Sequence, residues 1–336
     1  MIYVTYEEAV STMERGLTRF LSADVAHRFA EIFAGNSLDG VYSHGMNRFP
    51  RYIADMESGL CDASVTQAER VSGLGGLEVW DAHFGVGPLI AQQAAQRAVD
   101  LAKEHGIACV ALRNNSHWLR AGRFGLMMAE QGMMGLCMTN TCLNLVAYGA
   151  KEPSTGNNPI CFAVPRKGGS LVMDMAVSQY AYGKMEIMAQ QGEMLPVPCG
   201  YDEDGNETNN PAEIVRSGLM MPMAQWKGSA LSIMVDLMVS MASMGRTSLE
   251  IGGMKDGEKG MSQLFICLNP AAVVDMDKVD EKMEKTVAFL DGLEAREGMS
   301  GVHAPGANLE KTRARNREHG IPVTEATWAK IQELCK

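Results

Sequence analysis

Tyr42-Ser43-His44-Gly45-Met46-Asn47-Arg48-Phe49-Pro50-Arg51 sets an imidazole and a guanidinium four positions apart. A histidine with an ordinary pKa of ~6.5 lends or recovers a proton near neutral pH, and an arginine fork grips a carboxylate through two parallel hydrogen bonds. Together they suit a 2-oxo or 2-hydroxy acid. Residues four apart share a face if the segment makes one helical turn, Gly45 lets the backbone come close to a ligand, and Pro50 opens a following helix. The same letters also admit a plainer reading, a hydrogen-bonded half-buried histidine beside a surface cation. On its own the stretch leaves the chemistry open.

Extended back through Asp39-Gly40-Val41, it resembles the N-terminal signature of the malate/L-lactate dehydrogenase family of NAD(P)-dependent oxidoreductases, and within it a reductase of sugar-derived 2,3-dioxo acids. Further blocks carry the resemblance in order over nearly the whole chain: Ala111-Leu112-Arg113-Asn114 with His117-Trp118, part of Tyr148-Gly149-Ala150-Lys151, Gly156-Asn157-Asn158-Pro159, Met173-Asp174-Met175 and Trp226-Lys227-Gly228-Ser229. The resemblance implies a mixed α/β fold whose nicotinamide-binding domain is not a Rossmann domain, preceded by a helical domain. Texture along the chain sets the expected borders: a helical unit with the His44 loop over 1–72, the α/β cofactor domain over 73–305, and C-terminal helices over 306–336 that pack back on the first unit.

The local pattern is compatible with that architecture. Thr5 with Glu8 predicts a capping box opening a helix through Phe20, followed by helices over Ala23–Ala34 and Pro50–Leu60 and a turn-rich stretch from Ser72 to Gly87. Pro88 and Gly106 punctuate another helix. Strands are predicted at Ile107–Leu112, Met133–Met138, Ile160–Val164, Leu171–Met175 and Leu264–Leu268, with helices over Phe124–Gln131 and near 178–191, 228–244 and 275–296. Such alternation argues for a sheet covered by helices. Gly73-Leu74-Gly75-Gly76 and Gly85-Val86-Gly87 lack the third glycine and the strand-to-helix setting of a dinucleotide fingerprint, so both read as turns. The charged runs Lys278 to Arg296 and Lys311 to Arg317 read as solvated helix faces.

Residue by residue, the resemblance implies that His44, flanked by Ser43, donates the proton to the substrate carbonyl, that Arg48 lies at the substrate, and that His117 is a second active-site histidine; which of the two transfers the proton stays open. For the cofactor, NAD or NADP, it implies Ser170, Leu171, Val172, Met173, Asp174, Met175 and Ala176, then Trp226 and Lys227, then Gly306, Ala307 and Asn308. Physically, a strand ending in an aspartate offers backbone groups and a carboxylate to a nicotinamide or ribose, and Lys227-Gly228 at a helix start offers a cation and free amides to a pyrophosphate. Relatives commonly carry glutamate where this chain has Asn308. A carboxylate there would bind a ribose 2′-hydroxyl and repel a 2′-phosphate, so asparagine predicts looser cofactor choice. Lys184 fits a wider family pattern but is left out of the site. The family also implies a homodimer with the cofactor near the subunit contact.

Composition removes several alternatives. A net charge of −10 and a pI near 5.3 disfavour nucleic acid and anionic membrane partners, which call for a basic face. The eight cysteines form no C-x-x-C pair and no zinc spacing; several fall in apolar runs, as reduced core cysteines do. With no basic and apolar blocks after Met1, a cytoplasmic enzyme without a metal is expected. The acidic turn Tyr201–Asn206 lacks the spaced ligands of a calcium loop and reads as a hairpin or surface loop. Ser229 to Met244, apolar but carrying Asp236, is too short for a membrane span and reads as a buried helix, and many of the 26 methionines read as core fillers. Ser43 beside His44 suggests a hydrolase only weakly, since there is no G-x-S-x-G elbow and neighbours in sequence seldom aim at one another. Malate, lactate, ureidoglycolate and piperideine-2-carboxylate enzymes of the same family, and a non-catalytic nucleotide-binding protein, remain the other readings.

Overall fold

The computed structural model describes residues 1–253 and 257–336. It opens with β1 (Ile2–Val4), α1 (Tyr6–Leu17) and α2 (Ala23–Leu38), then two 3-10 turns at Tyr42–His44 and Met46–Arg48, then α3 (Phe49–Glu57). Thr5 Oγ1 accepts the Glu8 N–H at 3.1 Å and starts α1 where the sequence placed it, although the helix stops at Leu17 rather than Phe20. Met13, Leu17, Phe29, Phe33, Phe49, Tyr52 and Ile53 interlock in a core with aromatic centroids 4.8 to 5.8 Å apart. Ile321, Trp328 and Ile331, from the far end of the chain, complete that core.

The Ser72–Gly87 stretch is a correction to the turn-rich reading. It belongs largely to a hairpin, β2 (Glu69–Leu74) and β3 (Leu77–Asp81), closed at Gly75-Gly76 with Gly75 at φ +56°. Every residue of β2 is exposed, which is why no apolar alternation marked it. Next come α4 (Gly87–His105), β4 (Ile107–Asn115), α5 (Ala121–Glu130), β5 (Met134–Thr139), β6 (Ile160–Val164) and β7 (Leu171–Met175). A smaller unit follows: α6 (Tyr182–Gln191), the hairpin β8 (Gly200–Tyr201) and β9 (Glu207–Thr208) around the acidic turn, α7 (Pro211–Ser217) and β10 (Leu219–Met220). The chain ends with α8 (Trp226–Ser243), α9 (Ser248–Ile251), β11 (Met261–Leu268), α10 (Met276–Asp291), α11 (Ala307–His319), β12 (Ile321–Val323) and α12 (Glu325–Leu334).

Seven strands form one mixed sheet in the order β2-β3-β4-β11-β5-β6-β7, with only β3 and β4 parallel. Alternate residues of each strand point to opposite faces. Val110, Leu112, Cys137, Cys161 and Phe265 meet α4 and α5 on one side, and Ala111, Met138, Ile160 and Leu264 meet Val235 and Val239 of α8 on the other. All eight cysteines are free thiols, seven of them buried and Cys109 half-buried. Among the described residues no helix is long and apolar enough to cross a membrane.

α8 corrects the buried-helix reading. One face packs on the sheet, while Ile233, Met234, Leu237, Met238 and Met241 stand in solvent at helical spacing, Met241 at 79% exposure. The helix is apolar all round, and the described residues cover one face of it.

Candidate active site

The loop between α2 and α3 is held from below. Asn36 Nδ2 donates to the His44 carbonyl at 2.9 Å, and Ser37 Oγ accepts the Met46 N–H at 2.8 Å. A Cβ on Gly45 would overlap Ser37 Oγ and stand 2.8 Å from the Ser37 nitrogen. The glycine therefore serves a close approach to α2, not to a ligand as its position suggested. Two 3-10 turns replace the expected single helical turn, and both His44 and Arg48 reach one cavity of about 720 Å³.

His117, on the connection from β4 to α5, brings its ring parallel to that of His44, with centroids 5.8 Å apart and an interplanar angle of 12°. The Leu119 N–H donates to His117 Nδ1 at 3.1 Å, which puts the proton of the neutral ring on Nε2. Ser43 Oγ lies 3.0 Å from His44 Nδ1, so these two sequence neighbours do meet. In the protonated ring Nδ1–H donates to Ser43 Oγ, which leaves Nε2–H as the transferable proton. Burial, and then the Arg48 guanidinium, push both imidazoles down: His44 to about 4 and His117 well below the usual histidine range. A Cβ on Gly183, at the start of α6, would stand 2.8 Å from Ser43 Cβ. The wall formed by α6 closes on this loop through that gap.

Arg48 is not an empty fork. Its Nη2 donates to Glu258 Oε2 at 2.6 Å, and Arg51 reaches the same oxygen at 3.7 Å. Burial alone would raise Glu258, but His117, Arg48 and Arg51 together outweigh it and hold the carboxyl at about 2. The sequence reading missed Glu258 because Gly257-Glu258-Lys259-Gly260 has neither periodicity nor a motif. It also missed Arg120, three residues beyond His117 and only 5% exposed on the cavity wall. Arg120 Nη2 donates to Asp39 Oδ2 at 3.1 Å, and Arg313 Nε of α11 donates to Asp39 Oδ1 at 2.7 Å. One carboxylate at the end of α2 thus ties the site to the C-terminal helices.

The residues expected at the cofactor fall in three places. Asp174, Met175 and Ala176 line the cavity reached by His44 and Arg48, where Asp174 Oδ2 accepts the Gly122 N–H at 2.8 Å. Ser170 and Leu171 line a second cavity of about 490 Å³ together with Gly306, Ala307, Glu310 and Lys311. Between them, Val172 turns into the core on the α5 side and donates its N–H to the Pro305 carbonyl at 3.2 Å, while Met173 pairs across β6 with Phe162. Gly306, at φ +85°, starts α11 without a side-chain cap, and a Cβ there would stand 3.1 Å from the Val172 nitrogen. An uncapped helix start beside an extended strand suits a dinucleotide pyrophosphate. Trp226 and Lys227 do not join these cavities; both are exposed at the start of α8. Asn308 is exposed outside the second cavity, and the carboxylate facing it is that of Glu310, two residues on. The Lys184 ammonium sits over the Tyr180 ring at 4.8 Å.

A family model described as malate/L-lactate dehydrogenase matches residues 4–332. The chain is 38% identical over 334 residues to the 2,3-diketo-L-gulonate reductase of Salmonella newport (strain SL254), a match covering 98% of this chain and 99% of that protein. Among solved structures it is similar to the delta1-piperideine-2-carboxylate reductase of Pseudomonas syringae pvar. tomato, at 30% identity and a TM-score of 0.87 over 99% of this chain and 100% of that one. It is also similar to the sulfolactate dehydrogenase of Methanocaldococcus jannaschii, at 25% identity and a TM-score of 0.89 over 99% and 96% of the two chains.

Proposed function

The chain belongs to the malate/L-lactate dehydrogenase family, and from that premise we propose that it is a 2,3-diketo-L-gulonate reductase, forming 3-dehydro-L-gulonate by reduction at C2. It is an oxidoreductase of CH–OH groups that uses a nicotinamide cofactor. The observation that carries the site assignment is the face-to-face pair His44 and His117 on a cavity wall that also bears Arg48 and Arg51.

In this reading Arg48, with Arg51 beside it, holds the C1 carboxylate. A nicotinamide held by the residues below would supply the hydride needed at C2. One ring in its protonated form, His44 or His117, gives its Nε2 proton to the oxygen at C2 and is left neutral, and the other orients or polarises that oxygen. Ser43 fixes the His44 ring through Nδ1. Ser170 to Ala176, Gly306, Ala307 and Asn308 hold the cofactor, and Trp226 and Lys227 contribute from the start of α8. The functional units are 1–72, 73–305 and 306–336, in a homodimer placed in the cytoplasm.

Both NADH and NADPH are accepted in this proposal. Asn308 adds no negative charge, and Lys311 supplies a cation on the second cavity, while Glu310 acts in the opposite sense. Nicotinamide oxidation by the purified protein, with NADH and NADPH in parallel, against 2,3-diketo-L-gulonate, pyruvate, oxaloacetate, oxalurate and piperideine-2-carboxylate is the test. A clear preference for diketogulonate is expected. An NADPH efficiency ~1,000-fold or more below that of NADH, ~4 kcal/mol of discrimination, contradicts the cofactor reading. Turnover of another substrate, such as the cyclic imine, reassigns the pocket. Stoichiometric NADH binding without turnover leaves a nucleotide-binding protein.

A further inference from the structure

We propose that Glu258 is a positioning residue of this site, an internal carboxylate that occupies Arg48 and Arg51 in the free enzyme and shares them with the substrate's carboxylate on binding. The inference rests on the reading of the cavity as a 2-oxo acid site. Glu258 lies 2.6 Å from Arg48 and 3.7 Å from Arg51, and its side chain is 16% exposed, facing the same cavity as both imidazoles. Among the described residues Arg48 Nε has no partner at all, so the pair with Glu258 is the hold on that guanidinium. An arriving anion therefore meets an Arg48 fork that already holds a carboxylate. Two guanidiniums shared by two carboxylates balance in charge, whereas Arg48 and Arg51 without Glu258 would hold an anion with an excess positive charge.

The second consequence concerns the proton. The groups whose fields reach the rings come from every neighbouring element: Arg48 from its 3-10 turn and Glu258 from the segment before β11 act on both rings, Arg120 from the start of α5 acts on His44, and Arg51 from α3 and the His44 ring act on His117. The guanidiniums oppose protonation, and Glu258 favours it on both rings. Glu258 thus weakens ground-state binding of the carboxylate while keeping a proton within reach of the reacting oxygen. Losing it separates the two effects, because the substrate then binds more tightly and turns over more slowly.

The experiment uses full-length Glu258→Gln and Glu258→Asp, with oxamate as a non-reducible probe of the carboxylate site and the best 2-oxo acid as substrate. Glu258→Gln should bind oxamate about tenfold more tightly, the scale of one charge-assisted hydrogen bond no longer shared. It should lower KM and kcat together and move the rising limb of the reduction profile to lower pH. Glu258→Asp, which keeps the charge with a shorter reach, should fall between Gln and the parent in oxamate affinity and restore most of the pH profile. Unchanged or weaker oxamate binding in a folded Gln variant overturns the proposal. Should that variant not fold, unchanged oxamate binding in the Asp variant overturns it as well. A parent enzyme that binds oxamate but reduces no 2-oxo acid defeats the functional reading instead, and the oxamate comparison still decides the role of Glu258.

Discussion

His44 sits in surroundings that oppose its charge: burial first, then the guanidinium of Arg48, with Glu258 pulling the other way and Arg120 adding to the opposition, so its pKa falls to about 4. A proton donor with that pKa is charged in only a small fraction of free enzyme at neutral pH. If His44 is the donor, kcat/KM for reduction should rise about tenfold for each unit the pH drops between 8 and 5, while oxidation of the hydroxy acid, which needs the neutral ring, stays level over that range. His44→Ala should lower turnover by ~10²-fold or more and leave cofactor binding intact. A flat reduction profile together with an active alanine variant would transfer the role to His117. Stability carries the same sign. The unfolded chain takes up a proton near pH ~6.5 that the folded site refuses until about 4, so this residue costs nothing above that window and removes about 3 kcal/mol as pH falls through it. Urea unfolding at pH 7 and pH 5 should show a smaller acid loss in His44→Ala.

Between elements, Asp39 is the joint. It ends α2, accepts from Arg120 at the head of α5 and from Arg313 on α11, and is 8% exposed. Asp39→Asn would leave two guanidiniums sharing a neutral amide in a buried setting, a loss of about 3–5 kcal/mol that urea unfolding would register. A loss under ~1 kcal/mol would mean that the helices are held by their apolar contacts alone. Element by element, legibility followed local signal. β6 and β7 run from Ile160 to Val164 and from Leu171 to Met175, as predicted, because both are short apolar runs between turn residues. α4 begins at Gly87 and ends before Gly106, as its proline and glycine announced. α2 continues four residues past Ala34 to Leu38, and β2 and the short strands β8 to β10 were invisible, since strands this exposed or this short carry no periodicity.

For the whole molecule, α8 leaves an apolar face in solvent. Leu237, Met238, Met241 and Met244 are exposed at 46, 42, 79 and 82% on the side away from the sheet. A second copy packing there would bury this stripe and, at the head of the same helix, bring Trp226 and Lys227 into a subunit contact. Leu237→Glu with Met241→Glu should convert a dimer to a monomer by light scattering and weaken cofactor binding. A parent protein that is monomeric at micromolar concentration with full activity would remove the dimer from the proposal.

The sequence by itself determined the family, the α/β class and the helix starts that depend on Thr5, Pro50 and Pro88, and it singled out the two histidines whose rings the fold brings together, because each of these is written in adjacent letters or in a fixed spacing. Only the tertiary structure decided that Glu258 fills the Arg48 fork, that Arg120 and Arg313 share Asp39, and that Gly45 answers to Ser37. Those pairings join residues 210, 81, 274 and eight positions apart. Charge and shape complementarity act through space, and a contact that closes between distant segments, or between faces of two helical turns, leaves no local period to read.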